Sequence, residues 1–401
     1  MAANVEGVRG LVAEKSGVYD LAVVGSGILG LASALAAARQ GKRVIVIEKS
    51  AQPVGASIRN FGFVTVTGQR RGAHWKRALR SRDLWAEIAP QAGIEIVHRG
   101  LVLVARRPEA AAVLEAFLRT EMGEGCRLVS QAEARDIVPS LKPGAAALLH
   151  SPHDFRVESR DAVPRLTAWL REEMGVAFMT GIHVHEVAPP RIRTSEGTVE
   201  AEAAVVCPGD DFSSLFPERL RAAKLGICTL QMLRVQPATP TPFGAAVMTD
   251  LSLARYEGYS GLPESEPLRQ RLEREQTEEL EAGVHLIAVQ SADGSLVVGD
   301  SHAYGDTALP FARESVDDLI LRELDKVVDL PGRQVVQRWT GSYATRTGEV
   351  VFFDRPSDAV RILIVTGGTG ASTAFALGEE AVGDLFGSHA NRVEADAGAL
   401  S

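Results

Sequence analysis

The chain begins with an apolar strand pattern that turns, through a glycine-rich loop, into an alanine-rich helix pattern. Residues 19–25 form a run typical of a buried strand, and residues 28–40 have the spacing of a helix that Gly41 ends. A second strand pattern, Val44 to Glu48, follows at once. This order predicts a βαβ unit, in which the two strands are parallel and the crossover is right-handed.

Strand and helix patterns continue to alternate beyond this unit. Helical periodicity predicts further helices over 75–91, 109–122, 161–174, 315–330 and 371–386. Apolar runs predict further strands over 94–105, 176–187, 202–207, 285–291, 296–299 and 360–365. Asp293-Gly294 is typical of a hairpin turn. Because the elements of a parallel sheet lie at both ends and in the middle, with the hairpin between them, we predict two interleaved domains.

Length and composition agree with this picture. The chain has 401 residues, more than one compact domain usually contains. Its 45% hydrophobic and 23% charged residues are typical of a globular protein. A net charge of −8 gives no overall attraction for nucleic acid or anionic lipid, so neither is expected as a partner. Three scattered cysteines favour a reducing compartment, so we expect a cytoplasmic protein; its oligomeric state stays open, a homo-oligomer included.

The loop after the first strand has the pattern Gly-x-Gly-x-x-Gly. Gly25 permits a tight turn, Gly27 lets backbone approach a pyrophosphate, and Gly30 lets the helix pack closely on the strand. The helix N-terminus then directs free N–H groups at the phosphates, and Glu48 can accept hydrogen bonds from ribose hydroxyls. The combination predicts NAD or FAD, bound by Gly25, Ser26, Gly27, Ile28, Leu29, Gly30, Glu48 and Lys49.

Two later segments favour FAD. Residues 203–209 resemble the second strand signature of flavoproteins with this type of dinucleotide-binding domain, and residues 364–370 resemble their C-terminal flavin segment. A helix N-terminus after that segment would stabilise negative charge on the reduced flavin. These segments add Pro208, Gly209, Gly367, Gly368, Thr369, Gly370, Ala371, Ser372 and Thr373 to the predicted cofactor contacts.

With these segments in this order, residues 19–387 resemble the amine-oxidising flavoprotein family that includes D-amino acid oxidase, glycine oxidase and sarcosine oxidase. The resemblance implies an α/β (α+β two-domain) fold, in which a Rossmann-like FAD-binding domain with a parallel sheet is interleaved with a substrate domain built on a mixed or antiparallel sheet. It also implies flavin contacts from Ser57, Asn60, Phe61, Gly62, Val184, Val187 and Trp339.

The domain boundaries follow from the same reasoning. The FAD-binding domain is expected over 18–85, 145–215 and 335–388, and the substrate domain over 86–144 and 216–334. Residues 1–17 are expected to form a mobile extension and residues 389–401 a tail.

Two departures from the family pattern concern the substrate pocket. Arg59, Asn60 and Phe61 stand where family members have glycines, so we expect a smaller and more polar pocket. Tyr343 stands where the amino-acid oxidases have a carboxylate-binding arginine, which argues against simple α-amino acids. The residues expected to position the substrate are Arg59, Asn60, His302, Tyr304, Tyr343 and Arg346.

A narrower resemblance points to a substrate class. The runs 59–62, 151–157 and 299–305 are similar to those of a bacterial subgroup associated with phosphonate breakdown. This resemblance implies that a small amine, 2-aminoethylphosphonate or its N-methyl derivative, gives phosphonoacetaldehyde by hydride transfer to flavin and hydrolysis of an imine. Such a reaction needs no dedicated base, so no catalytic acid or base is predicted.

Alternative functions stay open. The first is a glycine, sarcosine or D-amino acid oxidase-like enzyme, and the second is a flavoprotein that modifies a macromolecule such as tRNA. A flavin-binding module without activity is a third.

No metal site is predicted, because His183 and His185 share one strand face but no third ligand accompanies them.

Overall fold

The computed structural model describes residues 18–387, which form two large β-sheets covered by helices. The strands are β1 (Tyr19–Val24), β2 (Val44–Glu48), β3 (Phe63–Val64), β4 (Ile96–Ala105), β5 (Arg127–Leu128), β6 (Ala147–Val157), β7 (Ala177–Thr180), β8 (Val184–Ala188), β9 (Arg191–Thr194), β10 (Gly197–Val206), β11 (Gly226–Gln236), β12 (Ala246–Thr249), β13 (Ile287–Gln290), β14 (Leu296–Gly299), β15 (Ala303–Gly305), β16 (Gln334–Thr345), β17 (Val351–Ser357) and β18 (Val360–Val365).

The helices have lengths between one and five turns. They are α1 (Ile28–Arg39), α2 (Ala73–Gln91), α3 (Pro108–Leu118), α4 (Gln131–Ile137), α5 (Ser159–Glu172), α6 (Pro217–Ala222), α7 (Asp250–Arg255), α8 (Glu257–Ser260), α9 (Ser265–Glu275), α10 (Thr277–Glu281), α11 (Glu314–Val327) and α12 (Gly370–Phe386), with short 3-10 helices at Ala56–Ile58 and Glu121–Gly123. None of the helices within residues 18–387 combines the length and hydropathy needed to cross a lipid bilayer.

The first sheet has eight strands and contains the predicted βαβ unit. Its order is β17-β18-β10-β1-β2-β7, and the hairpin of β8 and β9 extends it from the first half of β10. Strands β7, β2, β1, β10 and β18 are parallel, and β17 is antiparallel to β18 at the edge. Helices α1 and α12 pack together on one face so closely that a Cβ at Gly378 would lie 2.7 Å from the carbonyl oxygen of Ala32.

The second sheet has ten strands and is mixed. Its order is β15-β11-β14-β13-β12-β4-β6-β3, with β16 beside β11 and β5 beside β6. All its pairs are antiparallel except that of β12 and β4. The two sheets with their parallel and antiparallel strands confirm the predicted fold class.

The chain crosses between the two sheets several times. Strands β3, β6 and β16 fall in segments assigned to the FAD-binding domain, yet all three pair within the second sheet. These strands join the second sheet because β6 pairs with β4 and β16 pairs with β11. Local hydrophobic patterns do not indicate which distant strand a given strand pairs with. The predicted extension over 1–17 and the tail over 389–401 lie outside the described residues.

His98, on β4, is a buried histidine that should make the fold less stable in acid. Burial, assisted by the charge of Arg156, lowers the pKa of His98 to about 3 from its ordinary value of 6.5. Between these values the unfolded chain binds more protons than the folded chain, so the free energy of unfolding falls with falling pH by up to ~1.4 kcal/mol per pH unit. Above the ordinary value this contribution to stability is fully present.

Urea unfolding of the wild type and of His98→Gln at a series of pH values between about 4 and 7 checks this expectation. The variant should show a flatter dependence of the unfolding free energy on pH. Parallel curves for the two proteins would contradict it.

Candidate active site

The loop between β1 and α1 is closed so tightly that two of its positions require glycine. Gly25 has φ +100°, in the left-handed region, and its N–H donates to the carbonyl of Ile47 at 2.8 Å. A Cβ at Gly30 would lie only 1.9 Å from the carbonyl oxygen of Gly25. Close packing therefore places the N-terminus of α1 at the end of β1, where Gly27, Ile28 and Leu29 line a cavity.

One amide of this helix N-terminus already binds an oxygen atom. The N–H of Ile28 donates to Ser57 Oγ at 2.9 Å, and a Cβ at Gly27 would lie 3.1 Å from that same oxygen. Ser57 belongs to the short 3-10 helix at Ala56–Ile58. The N-terminus of α1 thus donates a hydrogen bond to an oxygen atom at the place where a dinucleotide fold binds phosphate oxygens.

Glu48 is a buried carboxylate, 8% exposed, at the end of β2. Its Oε2 accepts hydrogen bonds from the N–H and the hydroxyl of Ser26 at 2.8 and 3.0 Å, and its Oε1 accepts one from the N–H of Ser50 at 2.9 Å. The carboxylate is therefore held against the glycine loop, and Oε1, which accepts only one of these bonds, can accept a further one, as a ribose hydroxyl would require.

A second helix N-terminus faces the same cavity. Gly368, with φ +71°, belongs to the turn before α12, and a Cβ there would lie 3.0 Å from the ring of Tyr343. Thr369, at the N-cap position, makes no capping hydrogen bond; its hydroxyl lies 3.3 Å from Nε2 of His74. Burial lowers the pKa of His74 to about 4, so this ring is neutral at neutral pH. The N-terminus of α12 is thus free to stabilise a negative charge.

Both helix termini, Glu48 and the edge of the second sheet enclose one cavity of about 780 Å³. Among the predicted cofactor contacts, those that line it are Gly25, Gly27, Ile28, Leu29, Gly30, Glu48, Lys49, Ser57, Asn60, Phe61, Val184, Pro208, Gly209, Gly367, Gly368, Thr369, Gly370, Ala371 and Ser372. These residues fit FAD, because the glycine loop and Glu48 suit its ADP half and the N-terminus of α12 suits its flavin.

Five predicted contacts lie behind the cavity wall: Ser26, Gly62, Val187, Trp339 and Thr373. Ser26 donates to Glu48, and the hydroxyl of Thr373 donates to the carbonyl of Thr369 at 3.0 Å. The indole N–H of Trp339 donates to the carbonyl of Arg59 at 3.2 Å. Ser26, Trp339 and Thr373 thus support residues that line the cavity.

Arg255, the last residue of α7, is a cation in the cavity wall that the sequence did not single out. Its Nη2 donates to the hydroxyl of Tyr304 at 2.8 Å, and within residues 18–387 no carboxylate forms an ion pair with it. Burial lowers the pKa of its guanidinium, but the nearby oxygens of Tyr343 and Tyr304 outweigh this effect and raise it above its ordinary value. A charged guanidinium with unused donors is a binding site for an anion.

Tyr304 and Tyr343 extend this site. Both pair with Cys228 of β11, Tyr304 from β15 and Tyr343 from β16, so one ring stands on each side of the same strand position. The ring of Tyr343 lies against Gly368 in the turn before α12, and its hydroxyl is close enough to influence the pKa of Arg255. We refer to Arg255, Tyr304 and Tyr343 as the Arg255 cluster.

The other predicted substrate residues also line the cavity but differ in what they can offer. The side-chain oxygen of Asn60 has a structural role, because Oδ1 accepts hydrogen bonds from the N–H of Gly62 and from the hydroxyl of Ser159, each at 2.6 Å. Arg346 forms an ion pair with Glu349 at 2.7 Å. Arg59 forms no ion pair with a described residue and remains a second candidate cation.

His302 lies in a buried group that the sequence did not predict. Its Nε2 is 3.6 Å from Asp300 Oδ2, and Nε2 of His285 is 3.0 Å from Asp300 Oδ1. All three residues line the cavity. His183 and His185, the pair considered in the sequence, have ring centroids 5.0 Å apart; His185 is exposed on β8, and His183 is half-buried just before this strand and lines the cavity.

Two arginines of α2 and one cysteine have structural roles. Arg77 and Arg80 form ion pairs with Glu380 and Glu379 of α12, and these pairs hold α2 against α12. Cys207 lines the cavity, but burial raises the pKa of its thiol to about 12, which leaves it without nucleophilic thiolate at neutral pH.

Comparison with known proteins agrees with this geometry. A glycine oxidase from Geobacillus kaustophilus (strain HTA426) is 28% identical over 207 residues, which cover 48% of this chain and 54% of that protein. The match thus spans about half the length of this curated relative.

Solved structures match over nearly the whole chain. The crystal structure of glycine oxidase from Geobacillus kaustophilus aligns with a TM-score of 0.73 at 20% identity, covering 93% of this chain and 95% of that one. The crystal structure of L-proline dehydrogenase from P.horikoshii aligns with a TM-score of 0.73 at 18% identity, covering 92% and 93%. At these identities the likeness shows a shared fold.

The family itself is shown by the sequence. The family described as FAD dependent oxidoreductase, DAO, matches residues 20–383, which include both glycine segments and nearly every strand of the two sheets. The glycine loop, Glu48 and the N-terminus of α12, which line the cavity, all lie within the matched residues. The chain therefore belongs to the DAO family of FAD-dependent oxidoreductases, and FAD is its cofactor.

Proposed function

We propose that this protein oxidises a small amine that carries an anionic group, and that the substrate is an aminophosphonate, 2-aminoethylphosphonate or its N-methyl derivative. The observation that carries the proposal is the Arg255 cluster, whose guanidinium faces the cofactor cavity without a carboxylate partner among residues 18–387. It offers a site for an anion although Tyr343 replaces the arginine expected from the family resemblance.

Bound FAD supplies the electron acceptor, which takes a hydride from the carbon next to the amine nitrogen. The residues of the chain bind and orient the substrate. Arg255 would hold the anionic end through charge-assisted hydrogen bonds, with the hydroxyls of Tyr304 and Tyr343 as further donors. Because Tyr343 touches Gly368, an anion held there keeps the amine near the turn before α12.

The bond changes balance without a further reactant except water. The substrate loses a hydride from carbon and a proton from nitrogen, which leaves an imine. Water adds to the imine and releases an aldehyde together with ammonia, or with methylamine from the N-methyl substrate. The amine must be neutral when the hydride leaves, so the expected rate rises with pH until the amine has lost its proton.

The number of donors supports a phosphonate over a carboxylate. A phosphonate dianion has three oxygens and needs several cationic or hydroxyl donors. Arg255 has five N–H donors, of which one is used in the structure, and Arg59 lines the same cavity. The cluster thus has more donor capacity than a single carboxylate requires.

A glycine or sarcosine oxidase-like activity is the second candidate. The relatives named above are a glycine oxidase and an L-proline dehydrogenase, whose named substrates are small amines with a carboxylate. Arg255 could hold that carboxylate as well, so only substrates can decide between the two functions.

Anaerobic mixing with candidate amines tests the proposal directly. The FAD-loaded protein is mixed with 2-aminoethylphosphonate, its N-methyl derivative, glycine, sarcosine and D-alanine, and the bleaching of the oxidised flavin band is followed. We expect bleaching at low concentration by one or both phosphonates, with phosphonoacetaldehyde as product. Bleaching by glycine or sarcosine and by neither phosphonate would refute the aminophosphonate proposal and favour the second candidate.

A further inference from the structure

Asp300 is a buried carboxylate between two buried histidines, and all three face the cavity. Asp300 is 4% exposed, His285 3% and His302 8%. Nε2 of His285 and Nε2 of His302 lie 3.0 and 3.6 Å from the two oxygens of Asp300. Oδ1 of Asp300 accepts no well-aligned hydrogen bond from a described residue, and the atom that faces it at 3.0 Å is Nε2 of His285.

The hydrogen bonds on the far side of each ring determine what its Nε2 presents to Asp300. Nδ1 of His302 lies 2.9 Å from the carbonyl oxygen of Gly283, which can only accept, so Nδ1 carries the hydrogen. The neutral ring then has a lone pair on Nε2, and this lone pair points toward a carboxylate.

His285 has the same arrangement. Its Nδ1 lies 3.2 Å from Ser252 Oγ, and the hydrogen of that hydroxyl is donated to the carbonyl of Leu286 at 2.9 Å. With this donor assignment Nδ1 of His285 donates to Ser252, and its Nε2 also presents a lone pair to Asp300. Two ring nitrogens and a carboxylate thus converge on one point, an arrangement that a metal ion placed there would stabilise.

We propose that His285, Asp300 and His302 form a binding site for a divalent transition-metal ion such as Zn²⁺, with an open position toward the cavity. The ligand atoms lie within 4.8 Å of one another. The two contacts to Asp300 bracket the separation of about 3.4 Å expected between ligands of a tetrahedral ion with bonds of about 2.1 Å. The bonds to Gly283 and Ser252 are the outer-shell contacts that orient metal-binding histidines.

The charge around the site is compatible with this inference. The guanidinium of Arg255 also contributes to the electrostatics of Asp300, but its hydrogen bond goes to Tyr304. Among the described residues Asp300 therefore has ion-pair contacts with the two histidines and with no lysine or arginine. The proposal concerns ion binding alone and holds or fails independently of which amine is the substrate.

The test uses untagged, FAD-loaded protein that has been treated with a chelator and then titrated with Zn²⁺ by calorimetry and with Co²⁺ by absorption. We expect one ion per chain, and Co²⁺ absorption bands at longer wavelengths than those of the oxidised flavin, typical of nitrogen and oxygen ligands. His302→Gln and Asp300→Asn should each weaken binding by more than about 100-fold, because loss of an outer-shell contact alone costs about 10- to 100-fold.

The pair of His183 and His185 provides the matched control, since it is the alternative place for an ion to bind. The double variant His183→Ala/His185→Ala should bind Zn²⁺ as the wild type does. Retention of the flavin spectrum and of the circular dichroism shows that the His302 and Asp300 variants are folded. If the wild type binds no ion, or if only the His183 and His185 variant loses it, the proposal is wrong.

Discussion

Gly30→Ala is expected to yield a folded protein that retains FAD poorly. The added Cβ would lie 1.9 Å from the carbonyl oxygen of Gly25, a backbone atom that cannot rotate away. Relief requires α1 to move off the end of β1, which shifts the N-terminal amides that line the cavity. Overpacking of this kind costs about 1–3 kcal/mol, and we expect FAD affinity to fall by roughly 5- to 150-fold.

The measurement is the flavin content of purified protein, followed by the dissociation constant of FAD for the reconstituted protein. Gly55→Ala is the matched control, because Gly55 lines the same cavity but a Cβ there meets no atom within 4 Å. Equal FAD affinity in both variants would mean that the close approach of α1 to β1 does not govern cofactor binding. Circular dichroism separates lost affinity from lost fold.

Arg255→Met is expected to reduce kcat/KM for the anionic amine by about 100- to 1,000-fold. The guanidinium is half-buried and its free donors face the cavity, so its removal deletes charge-assisted contacts to an anion, which cost about 3–4 kcal/mol. Methionine keeps most of the apolar stem, which limits the loss of packing. The effect should appear mainly in KM, because the contact is present before and during hydride loss.

Arg346→Met is the control for this prediction. Arg346 lines the same cavity but already forms an ion pair with Glu349, so its loss should change kcat/KM by less than about tenfold. Arg255→Lys should restore part of the activity by its charge, though without the planar fork of the guanidinium. An unchanged KM in Arg255→Met would move the anion site elsewhere in the cavity, with Arg59 as the next residue to test.

Local patterns predicted much of the first sheet. The βαβ unit over residues 19–48 appears almost at the predicted bounds, because a buried parallel strand and an alanine-rich helix each have their own periodicity. The positions that need glycine, Gly25 and Gly30, were also evident, since a turn between strand and helix leaves no room for a side chain. The hairpin between β13 and β14 formed where Asp293-Gly294 predicted it.

Local patterns did not indicate which strands pair with each other. Strand β6 has the same apolar character whether it joins the first sheet or the second, and only its pairing with β4 decides. The same holds for side chains at the site. Asn60, predicted to meet the substrate, uses its amide for Gly62 and Ser159, because the segment before β3 must turn sharply there.

The sequence by itself therefore determined the fold class, the dinucleotide loop and the family, because each rests on short-range spacing of glycines and apolar residues. Only the tertiary structure brought Arg255 from a six-residue helix against Tyr304, whereas His285 faces Asp300 because the predicted hairpin of β13 and β14 continues to these residues. Arg255 and Tyr304 are 49 residues apart along the chain. Their convergence depends on which strands are neighbours in the second sheet, and that choice is made by packing over the whole molecule.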